Sequence, residues 1–239
     1  MEEKIEALIA SLDHPSKAVT REAADALLFI AVDRPELVER LNRLLNDGSQ
    51  QNRWPVAYIL ARLPNPSPLC VNVLLDTLGS EDRDNRWAAA SLLVRLSKDQ
   101  PETVPSLAAL ADHGTSTQKR MALYCLRDID PRGPTTLKAL VQSLGDPDPL
   151  VRIAATTSLA GQAKVSQEEI ETLLRLFRED ADSRVRCSAA FTLAQLGGPT
   201  TQIVAALTAA SQSDDPQLKK AADAALELLQ KKGPIPSVK

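Results

Sequence analysis

The sequence repeats itself with a period of about 33 residues, and this period limits the possible folds more than any other feature. One copy of the motif is Asp146–Ala155 (DPDPLVRIAA), and a second is Asp180–Ala190 (DADSRVRCSAA). With the arginine of each motif taken as an anchor, equivalent anchors recur along the chain at intervals of 33 or 34 residues. The seven anchors are Thr20, Arg53, Arg86, Lys119, Arg152, Arg186 and Lys219. Self-similarity at a fixed period of about 20 to 50 residues is typical of solenoid proteins.

Each anchor opens a helical pattern with one apolar face. Seven residues after each anchor stands a leucine: Leu27, Leu60, Leu93, Leu126, Leu159, Leu193 and Leu226. Three residues after each anchor stands a small residue: Ala23, Val56, Ala89, Ala122, Ala155, Ala189 and Ala222. At 100° per residue these positions share one face, so we expect them to be buried between helices.

A second helical pattern precedes each anchor, and an acidic turn joins the two helices. The sequence therefore predicts a single solenoid over residues 1–230 made of seven two-helix repeats, followed by a disordered tail at 231–239. The predicted repeats are 3–32, 33–65, 66–98, 99–131, 132–165, 166–198 and 199–230. Ser166–Glu169 and Asp33–Glu36 are predicted capping boxes at the starts of two first helices. Pro55 is expected in the first turn of its helix, with Asn52 as the N-cap.

The motif D-P-x-x-V-R-x-x-A-A-x-x-L is nearly complete in the fifth and sixth repeats. It resembles HEAT repeats, specifically the short variety found in phycobilisome-lyase-type proteins, from residue 3 to about 230. The resemblance implies an all-α fold, a right-handed α-α superhelix whose second helices line a concave groove. It also implies that the Asp residues four and six positions before the anchors form an Asp–Arg ladder between repeats. The anchors concerned are Arg53, Arg86, Arg152 and Arg186.

Aromatic residues are scarce, at 3% of the chain, and their positions are not random. Positions +1 and +5, counted from each anchor, lie opposite the packing face of the helix and are expected to point into the groove. These fourteen positions hold five of the seven aromatics, although chance would place fewer than one there. Exposed aromatic surface usually marks an interaction site. The predicted partner-binding residues are Trp54, Tyr58, Trp87, Arg120, Tyr124, Ile153 and Phe191.

The composition and the charged positions limit the classes of partner and the cell compartment that are expected. The net charge of −3 argues against a general nucleic-acid binder. Arg21, Arg120 and Lys220 stand at one level of the groove and favour a partly acidic protein partner. The sequence has no signal peptide and no apolar run long enough to span a membrane, so a cytoplasmic protein is expected. Three widely spaced cysteines suggest neither a disulfide framework nor a zinc site.

No catalytic residues, metal or cofactor are predicted. The two histidines, His14 and His113, are not followed by glutamate. The His-Glu metal motifs of the HEAT-repeat deoxyhypusine hydroxylases are therefore missing. No phosphate-binding loop and no nucleophile motif occur either. The sequence thus favours a protein–protein scaffold that holds a peptide or a helix, and not an enzyme.

Three alternatives stay open. The exposed aromatics could instead pack on one another between repeats. The resemblance also allows a phycobilin lyase, in which Trp54, Tyr58, Trp87 and Tyr124 would stack on a tetrapyrrole and Arg120 would pair with a propionate. A HEAT-like alkylpurine DNA glycosylase has a similar length, but the acidic composition weighs against it, and Tyr58 and Ser91 stand where that family would need an aspartate.

Overall fold

The fold is entirely helical in the part of the chain that a computed structural model describes, residues 2–47, 50–161, 165–196, 198 and 200–233. The all-α prediction is confirmed. The helices are α1 (Glu2–Ala10), α2 (Lys17–Ala31), α3 (Pro35–Asp47), α4 (Gln50–Arg62), α5 (Cys70–Thr77), α6 (Arg83–Leu96), α7 (Thr103–His113), α8 (Ser116–Ile129), α9 (Pro134–Ser143), α10 (Pro149–Leu159), α11 (Gln167–Glu179), α12 (Ser183–Leu196), α13 (Thr201–Ala210) and α14 (Pro216–Lys232). A short 3₁₀ turn, Ser11–Asp13, follows α1.

The chain divides into two compact units, Met1–Thr103 (unit 1) and Val104–Lys239 (unit 2). Within unit 1 the second helices of the repeats pack in a row, α2 on α4 and α4 on α6. Within unit 2 the row is α8, α10, α12 and α14, whereas the first helices α11 and α13 touch only slightly. The second helices are therefore the more closely packed row in unit 2. The single solenoid over residues 1–230 and its repeat boundaries remain predictions.

The repeated alanine and leucine positions form the core. All seven residues at position +3 are buried, and so are six of the seven leucines at position +7. Leu226 is the exception and is half-buried, because α14 is the last helix of its row. Small side chains at +3 let neighbouring helices approach closely, and the leucines fill the remaining space. The predicted packing face is thus confirmed.

The starts of the helices follow their capping residues. Asp82, Asp148 and Asp215 accept hydrogen bonds from backbone N–H groups in the first turns of α6, α10 and α14. The capping box of Ser166 and Glu169 at α11 is confirmed. A further capping box, not among those predicted, lies at the start of α8, where the side chains of Thr115 and Gln118 each accept a hydrogen bond from the backbone N–H of the other.

Two local predictions about helix starts are wrong, both next to a proline. α3 begins at Pro35, so its N-cap is Arg34 and not Asp33. Proline favours the first helical position because its fixed φ suits a helix and its missing N–H costs nothing there. α4 begins earlier than expected, at Gln50, and Pro55 therefore lies inside the helix and removes one backbone hydrogen bond.

The C-terminal helix continues slightly past the predicted end of the solenoid. Lys231 and Lys232, assigned to the tail by sequence, still belong to α14. The tail residues 234–239 lie outside the described residues.

Cation–carboxylate pairs join successive repeats of unit 2. They are Lys119 with Asp146 at 2.8 Å, Arg152 with Asp180 at 2.7 Å, and Arg186 with Asp215 at 2.9 Å. Arg152 donates two hydrogen bonds to Asp180, and these raise the pKa of its guanidinium. Its third nitrogen donates to the carbonyl oxygens of Asp146 and Pro147, in its own turn. The predicted Asp–Arg ladder therefore exists in unit 2, where each cation binds a carboxylate of the following repeat.

In unit 1, Arg86 keeps the bonds to its own turn, but the aspartate six positions before it is absent. The residue six positions before Arg86 is Ser80 instead of an aspartate. Arg86 donates to the carbonyl oxygens of Ser80 and Glu81, at 2.6 and 2.9 Å. Lys17 of α2 forms an ion pair with Asp82, the N-cap of α6. This pair links the first and third repeats of unit 1.

Candidate functional site

The positions predicted to face the groove all lie outside the core of the second helices. None of the fourteen side chains at +1 and +5 is buried. Trp87 is 45% exposed and Phe191 is 43% exposed, whereas Trp54, Tyr58 and Tyr124 are half-buried. Of the seven aromatic side chains in the chain, only Phe177 is fully buried. The core therefore uses almost none of the aromatic volume that the protein has.

In unit 1, α4 presents a continuous series of aromatic and charged groups. The rings of Trp54 and Tyr58 lie 5.7 Å apart in a tilted arrangement. The guanidinium of Arg62 lies over the Tyr58 ring, 4.9 Å from its centroid, and donates a 3.0 Å hydrogen bond to the phenol oxygen. The same nitrogen donates to Asp25 of α2 at 2.7 Å. These contacts fix Arg62 beside the aromatic pair.

The most exposed aromatic, Phe29 of α2, is not among the predicted residues. Phe29 is 84% exposed and stands at position +9, one turn beyond Asp25. Arg62 and Arg95 occupy the same position on α4 and α6. Positions +1, +5 and +9 lie within 80° of one another on a helical wheel, so +9 continues the exposed face. A helical wheel that included position +9 would have predicted that Phe29 belongs to the exposed face.

In unit 2 the predicted residues are spread over three neighbouring helices. Arg120 and Tyr124 are one turn apart on α8, and Ile153 and Phe191 stand on α10 and α12. The guanidinium of Arg127 lies 5.3 Å from the centroid of the Tyr124 ring. Arg120 also contributes to lowering the pKa of the Asp148 carboxyl, after the larger effects of hydrogen bonds from Ser116 and from the backbone.

The seven predicted residues therefore fall into two groups. Trp54, Tyr58 and Trp87 belong to unit 1, and the other four belong to unit 2. The structure brings Trp54 and Tyr58 into ring contact. Each group is therefore a surface of its own unit.

The described part of the chain contains neither a metal-binding cluster nor a membrane-spanning helix. No three His, Cys, Asp or Glu side chains come together there in a way that could hold a metal ion. Nor do the described helices include one of sufficient length and apolarity to cross a bilayer. Cys70 and Cys125 are buried, and Cys187 is half-buried on α12.

Comparison with solved structures places the fold among helical repeat proteins. A mutant of Kap121p has a TM-score of 0.64 at 13% identity, over 94% of this chain and 29% of that one. YIBA_ECOLI, from Escherichia coli, has a TM-score of 0.55 at 15% identity, over 96% and 95%. Human deoxyhypusine hydroxylase in complex with glycerol scores 0.40 at 14% identity, over 96% and 97%. The first two show the fold alone, and the third is too distant to carry an argument about chemistry.

Comparison with known sequences gives a family but no individual relative. No curated protein matches the chain significantly. The narrower resemblance to phycobilisome-lyase-type proteins is not shown. The family model for HEAT repeats, by contrast, matches in three overlapping segments, residues 40–127, 68–160 and 117–193. These segments cover more than half of the sequence and include the anchors from Arg53 to Arg186. The chain belongs to the HEAT-repeat family.

Proposed function

We propose that this protein is a scaffold that binds a peptide or a helix of a partner protein on the solvent-facing side of its second helices. The observation that carries the proposal is the placement of the aromatics, six of which lie outside the core. Membership of a family of helical repeats supports a binding role. Tryptophan, tyrosine and arginine are also the residues enriched at binding hot spots. The proposed role includes no catalytic step.

Each unit contributes its own surface to this proposal. In unit 1 the binding residues are Trp54, Tyr58 and Trp87. In unit 2 they are Arg120, Tyr124, Ile153 and Phe191. Complete burial of a large apolar side chain contributes about 1.5 to 3 kcal/mol. Because these rings are already partly covered, a partner gains roughly half of that from each ring. Three such contacts suit a peptide bound with micromolar affinity better than a permanent complex.

The test is a selection of binding peptides followed by removal of the rings. A random 12-residue peptide library is selected on the wild-type protein, and the affinities of the selected peptides are measured by fluorescence anisotropy. We expect Trp54→Ala with Trp87→Ala to weaken one class of peptides at least tenfold. Tyr124→Ala with Phe191→Ala should weaken a second class. Because the rings are exposed or half-buried, each double variant should lower the thermal midpoint by only a few degrees.

Two controls separate binding from folding. Leu150→Ala truncates an exposed apolar side chain outside positions +1 and +5 and should affect no peptide. Phe177→Ala removes the one buried ring and should lower the midpoint strongly. If no peptide depends on the rings, the proposal is wrong, and a fall in midpoint as large as that of Phe177→Ala would identify them as packing residues. A spectral shift on adding biliverdin, abolished in the same variants, would favour the chromophore alternative instead.

A further inference from the structure

Three second helices of unit 1 present a regular array of exposed side chains. We call the array at positions +1, +5 and +9 the α2–α4–α6 surface. It consists of Arg21, Asp25 and Phe29 on α2, Trp54, Tyr58 and Arg62 on α4, and Trp87, Ser91 and Arg95 on α6. None of the nine side chains is buried. The residues are neighbours by register, because α2 packs on α4 and α4 packs on α6.

The size of this surface limits what it can bind. Positions +1 and +9 are separated by about 12 Å along a helix, at 1.5 Å per residue. Packed helix axes are about 8 to 10 Å apart, so the three helices span about 18 Å. An extended chain covers about 3.3 Å per residue, and five or six residues would therefore cross the array. The surface matches a short segment and is much smaller than the roughly 800 Å² that each partner buries in a standard interface.

The charge of this surface is opposite to that of the whole protein. Its nine residues include three arginines and one aspartate, whereas the chain has a net charge of −3. Asp25 forms an ion pair with Arg62. Arg95 donates to the carbonyl oxygen of Ala61, an uncharged group that does not offset the positive charge of the guanidinium. Arg21 is exposed at the corner diagonally opposite Arg95. The array thus carries an excess of positive charge around its aromatic centre.

The two remaining corners of the array are apolar. Phe29 is 84% exposed, and Trp87, at the diagonally opposite corner, is 45% exposed. Trp54 and Tyr58 lie between them on α4. Val32, the C-cap residue of α2, is also exposed and extends the apolar corner. A segment complementary to this surface therefore has carboxylates to pair with the arginines and bulky apolar side chains to cover the exposed rings.

We propose that the segment bound by the α2–α4–α6 surface is acidic and carries at least one large apolar side chain. Its carboxylates bind Arg95 and Arg62, and its apolar side chain lies against Trp54 and Trp87. Arg62 is already oriented by Tyr58 and Asp25, so a second carboxylate meets a guanidinium that has little rotamer freedom left to lose. This inference rests on the proposed function and specifies the chemistry of its partner.

The peptides from the library selection test the charge directly. Those that depend on Trp54 and Trp87 should contain more Asp and Glu than Lys and Arg, together with an aromatic or a large aliphatic residue. Replacing their carboxylates by amides should weaken binding about tenfold or more. Raising the salt concentration from 50 to 500 mM should weaken the acidic peptides several-fold and leave their amide versions almost unchanged.

Arginine variants test which residues supply the charge. Arg62→Gln with Arg95→Gln should weaken the acidic peptides at least tenfold, and Arg95→Lys should restore part of the affinity in the presence of Arg62. Arg127→Gln is the matched control, because Arg127 lies over a tyrosine ring in unit 2 in the same way that Arg62 does in unit 1. It should leave these peptides unaffected. Thermal midpoints measured on the same samples distinguish lost contacts from lost structure.

The possible failures point to different conclusions. If the Trp-dependent peptides are neutral or basic, or if they do not respond to the arginine variants, the inference is overturned while the proposed function stands. If no peptide depends on Trp54 and Trp87, the function proposed for this surface fails as well. Tighter, Trp-dependent binding of duplex DNA than of any peptide would overturn the inference in favour of a nucleic-acid partner.

Discussion

Each cysteine has a reactivity set by the helical position that it occupies. Cys70 and Cys125 lie inside the helix packing, and burial raises the pKa of each thiol to about 12. Cys187, at position +1 of α12, is only half-buried, although partial burial and the nearby Asp215 still raise the pKa of its thiol. Because the thiolate is the reactive form, the two buried residues should be inert near neutral pH.

We therefore expect a thiol-specific reagent such as dithionitrobenzoate to label one cysteine of the folded protein and three in guanidinium chloride. The native reaction should be slower than that of free cysteine, because the pKa of Cys187 is raised. Cys187→Ser should abolish the native reaction. Two or more fast thiols would mean that unit 1 or α8 opens more readily than its buried core suggests.

Burial of single residues could be predicted from sequence wherever the repeat provides neighbours on both sides. Ala89 and Leu93 are fully buried, as the helical wheel predicts, because α4 and α5 cover α6. Phe29 was not predicted because the residue type at its position, +9, varies along the chain and is aromatic only there. A pattern found by averaging over repeats does not detect a residue that departs from the average.

At the scale of helices, the ion pairs of unit 2 differ in burial and therefore in what they contribute to stability. The side chains of Arg152 and Asp180 are 14% and 4% exposed. Arg184 and Asp182, by contrast, form a pair on the surface, within one turn. A buried carboxylate that loses its partner costs several kcal/mol, whereas a surface pair contributes little.

Arg152→Met should therefore destabilise the protein by about 2 to 3 kcal/mol, because Asp180 is left buried without its cation. The expected value is below the full cost for a buried pair, since Arg152 keeps some contact with water. The measurement is the free energy of unfolding in urea. Arg184→Met, which breaks the more exposed pair with Asp182 at the start of α12, is the control and should destabilise the protein much less. Equal effects of the two substitutions would show that the pairs between repeats contribute no more than surface charges.

Helix boundaries could be predicted less well than helix identities. The capping box at Ser166 is visible in the sequence, and so is the one that was missed, Thr115-Ser-Thr-Gln118. At Asp33–Glu36 the pattern misled, because Pro35 fixes the first helical position one residue later than the pattern implies. At Pro55 the packing of α4 against α2 and α3 extends the helix through the proline. Tertiary contacts overrode a local signal there.

At the scale of the whole molecule, the sequence predicted the type of architecture because every repeat gives the same information. A period of about 33 residues, with one leucine and one small residue at fixed offsets, determines a pair of helices and the face that each buries. The partner cannot be found in the same way. It depends on the residues at positions +1, +5 and +9, whose types vary along the chain and which the repeat only keeps out of the core.

The aspartates in the repeated turns make the stability of the whole molecule sensitive to acid. Four aspartates lie at the starts of second helices. In the folded protein their carboxylates accept hydrogen bonds, and these bonds lower the pKa of each carboxyl group. The four residues are Asp82, Asp148, Asp182 and Asp215. The largest single cause differs among them: Lys17 for Asp82, Ser116 for Asp148, Arg184 for Asp182 and the backbone N–H of Leu218 for Asp215.

A carboxyl group with a lowered pKa in the folded state stabilises the fold above its unfolded value, about 4, and loses that contribution as the pH falls through its folded value. For Asp182 the folded pKa is about 2. The thermal midpoint should therefore fall steadily between pH 4 and pH 2. Asp182→Asn preserves a side-chain oxygen that can accept from the backbone N–H of Arg184 but does not titrate. It should lower the midpoint slightly at pH 7 and lose less between pH 4 and pH 2 than the wild type. Parallel acid curves for the two proteins would exclude Asp182 as a source of the pH dependence.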